Sequence, residues 1–136
     1  MIELLVALVI FAFGMLGMAG LQSRALQYGQ SSLHRSQATA LADDLIDRLR
    51  TDRNNAVAAG SKWNTGFADT SASITGTSFA EKDLKDWKEQ VEKLLPSGAA
   101  EVVITSAGLV TLTLQWDESR ISSVDSSLSL KTQSQI

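Results

Sequence analysis

The pattern of apolar and polar positions divides the chain near residue 24. Leu4 to Leu21 is an unbroken run of eighteen apolar or glycine residues, and Glu3 stands just ahead of it. Eighteen helical residues at about 1.5 Å each span roughly 27 Å, close to the hydrocarbon thickness of a bilayer. The pattern predicts a hydrophobic transmembrane helix over residues 1–24 and a globular head over residues 25–136, which includes the amphipathic half of the same helix.

Glu3 is unusual because it lies at the N-terminal end of an apolar helix. A charge deep in a bilayer costs about 2.5–3.5 kcal/mol on insertion scales, so an ionisable residue there is a functional candidate. The alternative is that the carboxylate of Glu3 lies in the headgroup layer. No Lys or Arg precedes the run and it exceeds a secretory signal in length, so we interpret it as a retained anchor whose orientation stays ambiguous.

Beyond the anchor, the chain from Gln22 to about Arg53 contains no proline and becomes amphipathic. Apolar residues recur there at helical spacing, which predicts one continuous helix from Leu4 to Arg53, roughly 75 Å long. Asp44 with Arg48, and Asp47 with Arg50, are spaced to pair on its solvated face. The predicted apolar stripe consists of Leu26, Leu33, Ala38, Leu41, Ala42, Leu45 and Leu49.

Three glycines interrupt the anchor at intervals of three: Gly14, Gly17 and Gly20. Each costs about 1 kcal/mol relative to alanine inside a helix, so together they form a weak point. The alternative is that small residues allow close packing between membrane helices. Both interpretations stay open, since they could apply at different stages.

The segment from Asn54 to Thr77 is rich in Gly, Ala, Ser and Thr, which predicts a loop with Trp63 and Phe67 packed on the head. The loop is either a connector or a surface that faces a partner. The next residues, Ser78 to Glu81, fit a capping box and predict the start of a short helix that ends before Pro96. The apolar face of that helix is predicted to carry Leu84, Trp87, Val91, Leu94 and Leu95, with Trp87 in the core rather than stacked on a ligand.

The last third of the chain alternates as β-strands do. Val102 and Ile104 lead into a turn at residues 106–108, and a second strand buries Val110, Leu112, Leu114 and Trp116. Val124 and the alternation around Leu128 and Leu130 predict a third strand. The expected fold class is α+β: a long N-terminal helix packed on a small antiparallel sheet, with one additional short helix.

Composition removes several classes of function. Twelve basic and fifteen acidic residues give a net charge of −3, which argues against a general nucleic-acid-binding surface. The chain has no cysteine, so disulfides and thiolate metal sites are excluded. His34, the sole histidine, is interpreted as solvated rather than as a ligand, and the acidic residues 43, 44 and 47 as a charged helix face rather than a calcium site. We expect the protein to have no catalytic activity and to bind no cofactor or metal ion.

The first ten residues, Met-Ile-Glu-Leu-Leu-Val-Ala-Leu-Val-Ile, resemble the start of type IV pilins and pseudopilins. The mature chain of that family begins Phe-Thr-(Leu or Met)-Ile-Glu and continues with aliphatic residues. Its Phe-Thr is absent here, so we expect this chain to begin two residues inside the mature protein. Residues 42–50, 87–91 and 112–116 are more weakly similar to blocks of PilV-type minor pilins, although the C-terminal disulfide loop of many pilins is missing.

The resemblance implies a structural subunit of a type IV pilus, a minor or a major pilin, that waits in the inner membrane and then enters an extracellular filament. Its implied partners are other pilin subunits and the pilus assembly machinery. The glutamate matching Glu3 pairs with the N-terminal amine of an adjacent subunit in that family, and the helix often loses structure in the region of Gly14 to Gly20. The implied assembly residues are Glu3, Leu4, Leu5, Val6, Leu8, Val9 and Phe11.

Two alternative interpretations of the function stay open. A type II secretion pseudopilin shares the same N-terminal chemistry and would stay in a periplasmic pseudopilus. A single-pass membrane-anchored binding domain would never polymerise, and its Glu3 would be merely interfacial. The sequence does not distinguish roles in adhesion, motility or secretion.

Overall fold

The computed structural model describes residues 1–119 and 127–136. The described part has the predicted α+β fold, with a long N-terminal helix and a three-stranded antiparallel sheet. Besides a short 3-10 helix at Ser71–Ser73, its elements are α1 (Ile2–Thr51), α2 (Arg53–Ala56), α3 (Phe79–Leu94), β1 (Ala99–Ile104), β2 (Leu109–Asp117) and β3 (Ser127–Gln135).

Helix α1 is continuous, as its lack of proline predicts. Its C-terminal half carries the buried stripe Ala38, Leu41, Ala42, Leu45, Ile46 and Leu49. The predicted stripe is wrong at Leu26 and Leu33, which are 72% and 55% exposed, because the head covers α1 only from about Ser31 onward. Both predicted ion pairs are present: Arg48 Nε lies 2.9 Å from Asp44 Oδ2, and the Arg50–Asp47 pair spans 3.0 Å. The second pair is solvated as predicted, whereas Arg48 is half-buried and also pairs with Asp83 of α3.

Helix α3 begins with the predicted capping box. The hydroxyl of Ser78 accepts a bond from the backbone N–H of Glu81, and the carboxylate of Glu81 accepts one from the backbone N–H of Ser78, both at 3.3 Å. Trp87 is buried in the core, as predicted, and its Nε1 donates to the carbonyl oxygen of Leu41 at 2.9 Å. The prediction for Leu94 is wrong: this last residue of α3 is 45% exposed, and the extended Leu95 turns into the core instead.

The sheet order is β1-β2-β3 with antiparallel neighbours, and Gly108 supplies the positive φ of 81° in the β1–β2 turn. One face of β1 and β2 is buried, with Val102 opposite Leu112 in the register. β3 continues the sheet, and Leu130 pairs with Leu114. The predicted third strand is therefore confirmed around Leu128 and Leu130, whereas Val124 lies outside the described residues.

The segment between α2 and α3 is attached to the head at several points. Trp63 is buried, and its Nε1 donates to Asp52 Oδ2 at 3.0 Å. The backbone of Thr65 forms a two-bond bridge with Val102, and Phe67 is half-buried. These contacts agree with the connector interpretation and leave a partner-facing role for the loop as a prediction.

Candidate assembly surface

The N-terminal 30 residues are exposed along their whole length. From Leu4 to Leu21, consecutive apolar or glycine residues, each about 100° further around the helix than the last, make every face of α1 apolar. A helix that is apolar all around needs an apolar environment on all sides, whereas a helix lying on a core needs one apolar stripe. The predicted assembly residues Leu4, Leu5, Val6, Leu8, Val9 and Phe11 lie here and are between 53% and 67% exposed.

Helix α1 is the one helix in the described ranges that is long and apolar enough to cross a membrane. None of its most apolar 18-residue stretch is buried against the head. Soluble monomers rarely leave a continuous apolar surface of this extent in water. Lipid tails and neighbouring apolar helices are both chemically suitable coverings, so the surface is suited to membrane anchoring and to helix packing.

Glu3 lies in the first turn of α1 with its side chain almost fully exposed. Its Oε2 is 3.6 Å from the amino nitrogen of Met1, the one ion-pair partner that residues 1–119 and 127–136 offer it. An acidic group is electrostatically favourable at a helix N-terminus, and an exposed pair of this kind contributes little to stability. The head therefore leaves the carboxylate accessible to a group from another molecule.

The three glycines of the anchor have no reason within the chain to be glycine. A Cβ atom built at Gly14, Gly17 or Gly20 meets nothing within 4 Å, and all three have ordinary helical backbone. An alanine would therefore fit at each position in the isolated chain. Local melting and close helix packing both stay predictions.

Where α1 meets the head, the structure shows a polar contact that the sequence analysis missed. Glu118, just beyond β2, is only 4% exposed. Its Oε2 accepts from the hydroxyl of Ser31 and its Oε1 from Nε1 of Trp116, both at 2.9 Å. The alternation of buried and exposed residues along β2 could have predicted the burial of Glu118, because it places residue 118 on the same face as Trp116.

His34 is half-buried in this junction, so the expectation of a solvated side chain is wrong. It lies in the angle between α1 and the end of β2, and its Nδ1 has no hydrogen-bond partner within the described part of the chain. No group of three His, Asp or Glu side chains is placed to hold a metal ion there or elsewhere in residues 1–119 and 127–136.

The architecture is pilin-like: a long N-terminal apolar helix packs its second half on a small antiparallel sheet. Comparison of the chain with models of protein families, with characterised proteins and with solved structures finds no match. The likeness therefore stands on the architecture and on the N-terminal sequence.

Proposed function

We propose that this chain is a structural subunit of a type IV pilus, held in the inner membrane by α1 and then packed through α1 into the core of a helical filament. The observation that carries the proposal is the exposed N-terminal part of α1, which is apolar on every face from Leu4 to Leu21 and continuous with a helix half that the head does cover. One continuous helix thus joins a surface that needs an apolar environment to a domain that folds in water.

The physical step in this function is an exchange of lipid for neighbouring helices. Lipid tails and leucine side chains are equally apolar, so the exchange gains little from the hydrophobic effect and depends on packing and polar contacts. Glu3 is the acidic group at the apolar end of α1. In the filament its carboxylate pairs with the N-terminal amine of an adjacent subunit, and such a buried polar pair fixes register between helices.

The partners in this proposal are other pilin subunits, the inner membrane before assembly and the assembly machinery. The role is structural and involves no catalytic step. A type II secretion pseudopilin uses the same exchange in the periplasm, so the filament's location separates the two members of this class. A membrane-anchored domain that never polymerises is the competing outcome.

Replacing Glu3 tests the proposal. We expect Glu3→Ala to insert into the membrane as well as wild type but to fall at least tenfold in the filament fraction, since breaking a buried ion pair costs about 3–5 kcal/mol. Glu3→Asp keeps the charge and is expected to retain part of the incorporation. Glu101→Ala, on the half-exposed face of β1, is the matched control for loss of a carboxylate. Undiminished incorporation of Glu3→Ala removes Glu3 from the mechanism.

A further inference from the structure

A cavity of about 500 Å³ lies where the exposed and covered halves of α1 meet. Gln30, Leu33 and His34 line it from the helix, and Ser97 and Glu118 line it from the base of the head. The cavity is therefore next to the apolar surface of α1 that the proposed function covers with other subunits.

Glu118 gives this cavity a buried acidic group. A carboxylate has about four acceptor positions, and the neutral donors of Ser31 and Trp116 fill two. No Lys or Arg in residues 1–119 and 127–136 pairs with it. A cation offsets the cost of burying a carboxylate, so a cationic group that enters the cavity would find a desolvated acceptor already in place.

Arg24 is a cation that could pair with this buried carboxylate. It is the only Lys or Arg in the first 34 residues, it is exposed, and the described part of the chain gives it no hydrogen-bond or ion-pair partner. It precedes Ser31 by seven residues, which is two helical turns with a drift of about 20°. Arg24 thus lies about 10 Å below Glu118 on the head-facing side of α1, a line that continues to the buried Ala38 and Leu45.

The guanidinium of Arg24 does not reach Glu118 of its own chain, because helical side chains point toward the N-terminus and away from Ser31. A parallel copy displaced by two turns in the N-to-C direction brings its Arg24 to the level of this cavity. We infer that Arg24 of one copy enters the cavity of a second copy and pairs with Glu118, which staggers neighbouring α1 helices by two turns, roughly 10 Å. This inference rests on the proposed filament function.

The contact joins two different patches, so it is heterologous and propagates along a filament instead of closing a dimer. Arginine suits it better than lysine, because the planar guanidinium can donate two parallel bonds to one carboxylate. Both charges leave water as the helices pack, and the cavity supplies the room that the guanidinium needs.

A double-mutant cycle tests the pairing in the full chain. We expect Arg24→Gln and Glu118→Gln each to lower recovery in the filament fraction at least tenfold while the amount in the membrane stays unchanged. The double variant is expected to be no worse than either single variant, because both remove the same interaction. Arg35→Gln, at the other unpaired arginine of α1, is the matched control and is expected to assemble normally. Equal loss from Arg24→Gln and Arg35→Gln, or additive losses in the double variant, overturns the inference.

Cross-linking tests the stagger while leaving Arg24 and Glu118 intact. The chain has no cysteine, so introduced pairs are unambiguous. Gln27→Cys with Leu33→Cys is expected to give disulfide-linked ladders in filaments; within one helix the two positions are about 9 Å apart, beyond the roughly 7 Å limit for a disulfide. The control pair Gln27→Cys with Thr39→Cys requires a stagger of about 18 Å and is expected to stay unlinked.

The outcomes separate the inference from the function on which it rests. Wild-type chain in filaments, together with an unlinked Gln27/Leu33 pair and normal incorporation of Arg24→Gln, overturns the pairing alone. Complete absence of the wild-type chain from filaments overturns the proposed function and the pairing with it.

Discussion

Lys88 is a charged side chain inside the head, with only 2% of its surface exposed. Its Nζ donates to the carbonyl oxygens of Gly66, at 3.0 Å, and Asp69, which ties the loop before α3 to that helix. Burial lowers the pKa of Lys88, and attraction to Asp69 and Glu92 only partly opposes the effect. The ammonium group therefore holds the loop against α3, although its burial costs electrostatic free energy.

Lys88→Met is expected to destabilise the head by roughly 1–3 kcal/mol, because the carbonyl oxygens it served lose their donor. The pH dependence gives a second signature. Between the lowered folded-state pKa of Lys88 and the ordinary lysine value of about 10.4, the unfolded chain binds more protons, so wild-type stability rises with pH in that window. Urea unfolding of the full chain in detergent at several pH values measures both the loss of stability and its pH dependence. Lys85→Met, at an exposed lysine of the same helix, is the control. Equal stability and equal pH dependence in the two variants would contradict the prediction.

Single residues show where sequence reasoning stops. Lys88 falls at helical spacing with Leu84, Trp87 and Val91, so its place on the buried face was visible, but lysine is rarely buried and its carbonyl partners lie about twenty residues earlier. The bond between Ser31 and Glu118 joins positions 87 residues apart. Local periodicity carries no information about such partners, because they meet only after the sheet docks on α1.

At the scale of elements, the capping box of α3 gives a prediction. Ser78→Ala is expected to cost about 1 kcal/mol, since it leaves an N-terminal N–H of the helix without an acceptor. Hydrogen bonds from the Ser78 hydroxyl and backbone lower the pKa of Glu81, so their stabilising contribution is present above the ordinary glutamate pKa of about 4.3 and is lost as the pH falls through the lowered value. Ser78→Ala should therefore lose less stability than wild type on acidification. Thermal unfolding from pH 7 to pH 3, with Thr77→Ala as control, measures this difference, and equal acid sensitivity would refute it.

The glycines of α1 give the second prediction at this scale. Replacing Gly14, Gly17 and Gly20 by alanine meets no obstacle within the chain and should stabilise the isolated helix by about 0.5–1 kcal/mol per site. Amide exchange over residues 14–20 in micelles is expected to slow, and filament incorporation is expected to fall because local extension becomes harder. A filament map with continuous helix from Gly14 to Gly20 would show that no extension occurs.

The elements themselves were largely predictable, and their docking was not. The absence of proline through residue 51, the capping box and the alternation of β2 each specify an element locally. Leu26 and Leu33 fit the helical stripe as well as Leu41 does, yet they are exposed, because only the assembled head determines where coverage of α1 begins. The head reaches no further down the helix than about Ser31.

At the scale of the whole molecule, two surfaces of opposite character lie along one helix. The head buries a core formed by α1, α3 and one face of the sheet, and the exposed side chains of β3 are polar. The first 30 residues of α1 bury nothing in the chain. The architecture followed from the sequence, whereas the covering of this apolar surface is a property of the environment and lies beyond any single chain.

Recovery of the full-length chain after mechanical shearing of cells tests the central claim most directly. The account predicts that intact chain, Glu3 included, leaves the membrane and sediments with an extracellular filament whose core contains residues 2–30. A chain that stays entirely with the membranes as a single embedded unit, with no filament outside or within the periplasm, contradicts the account.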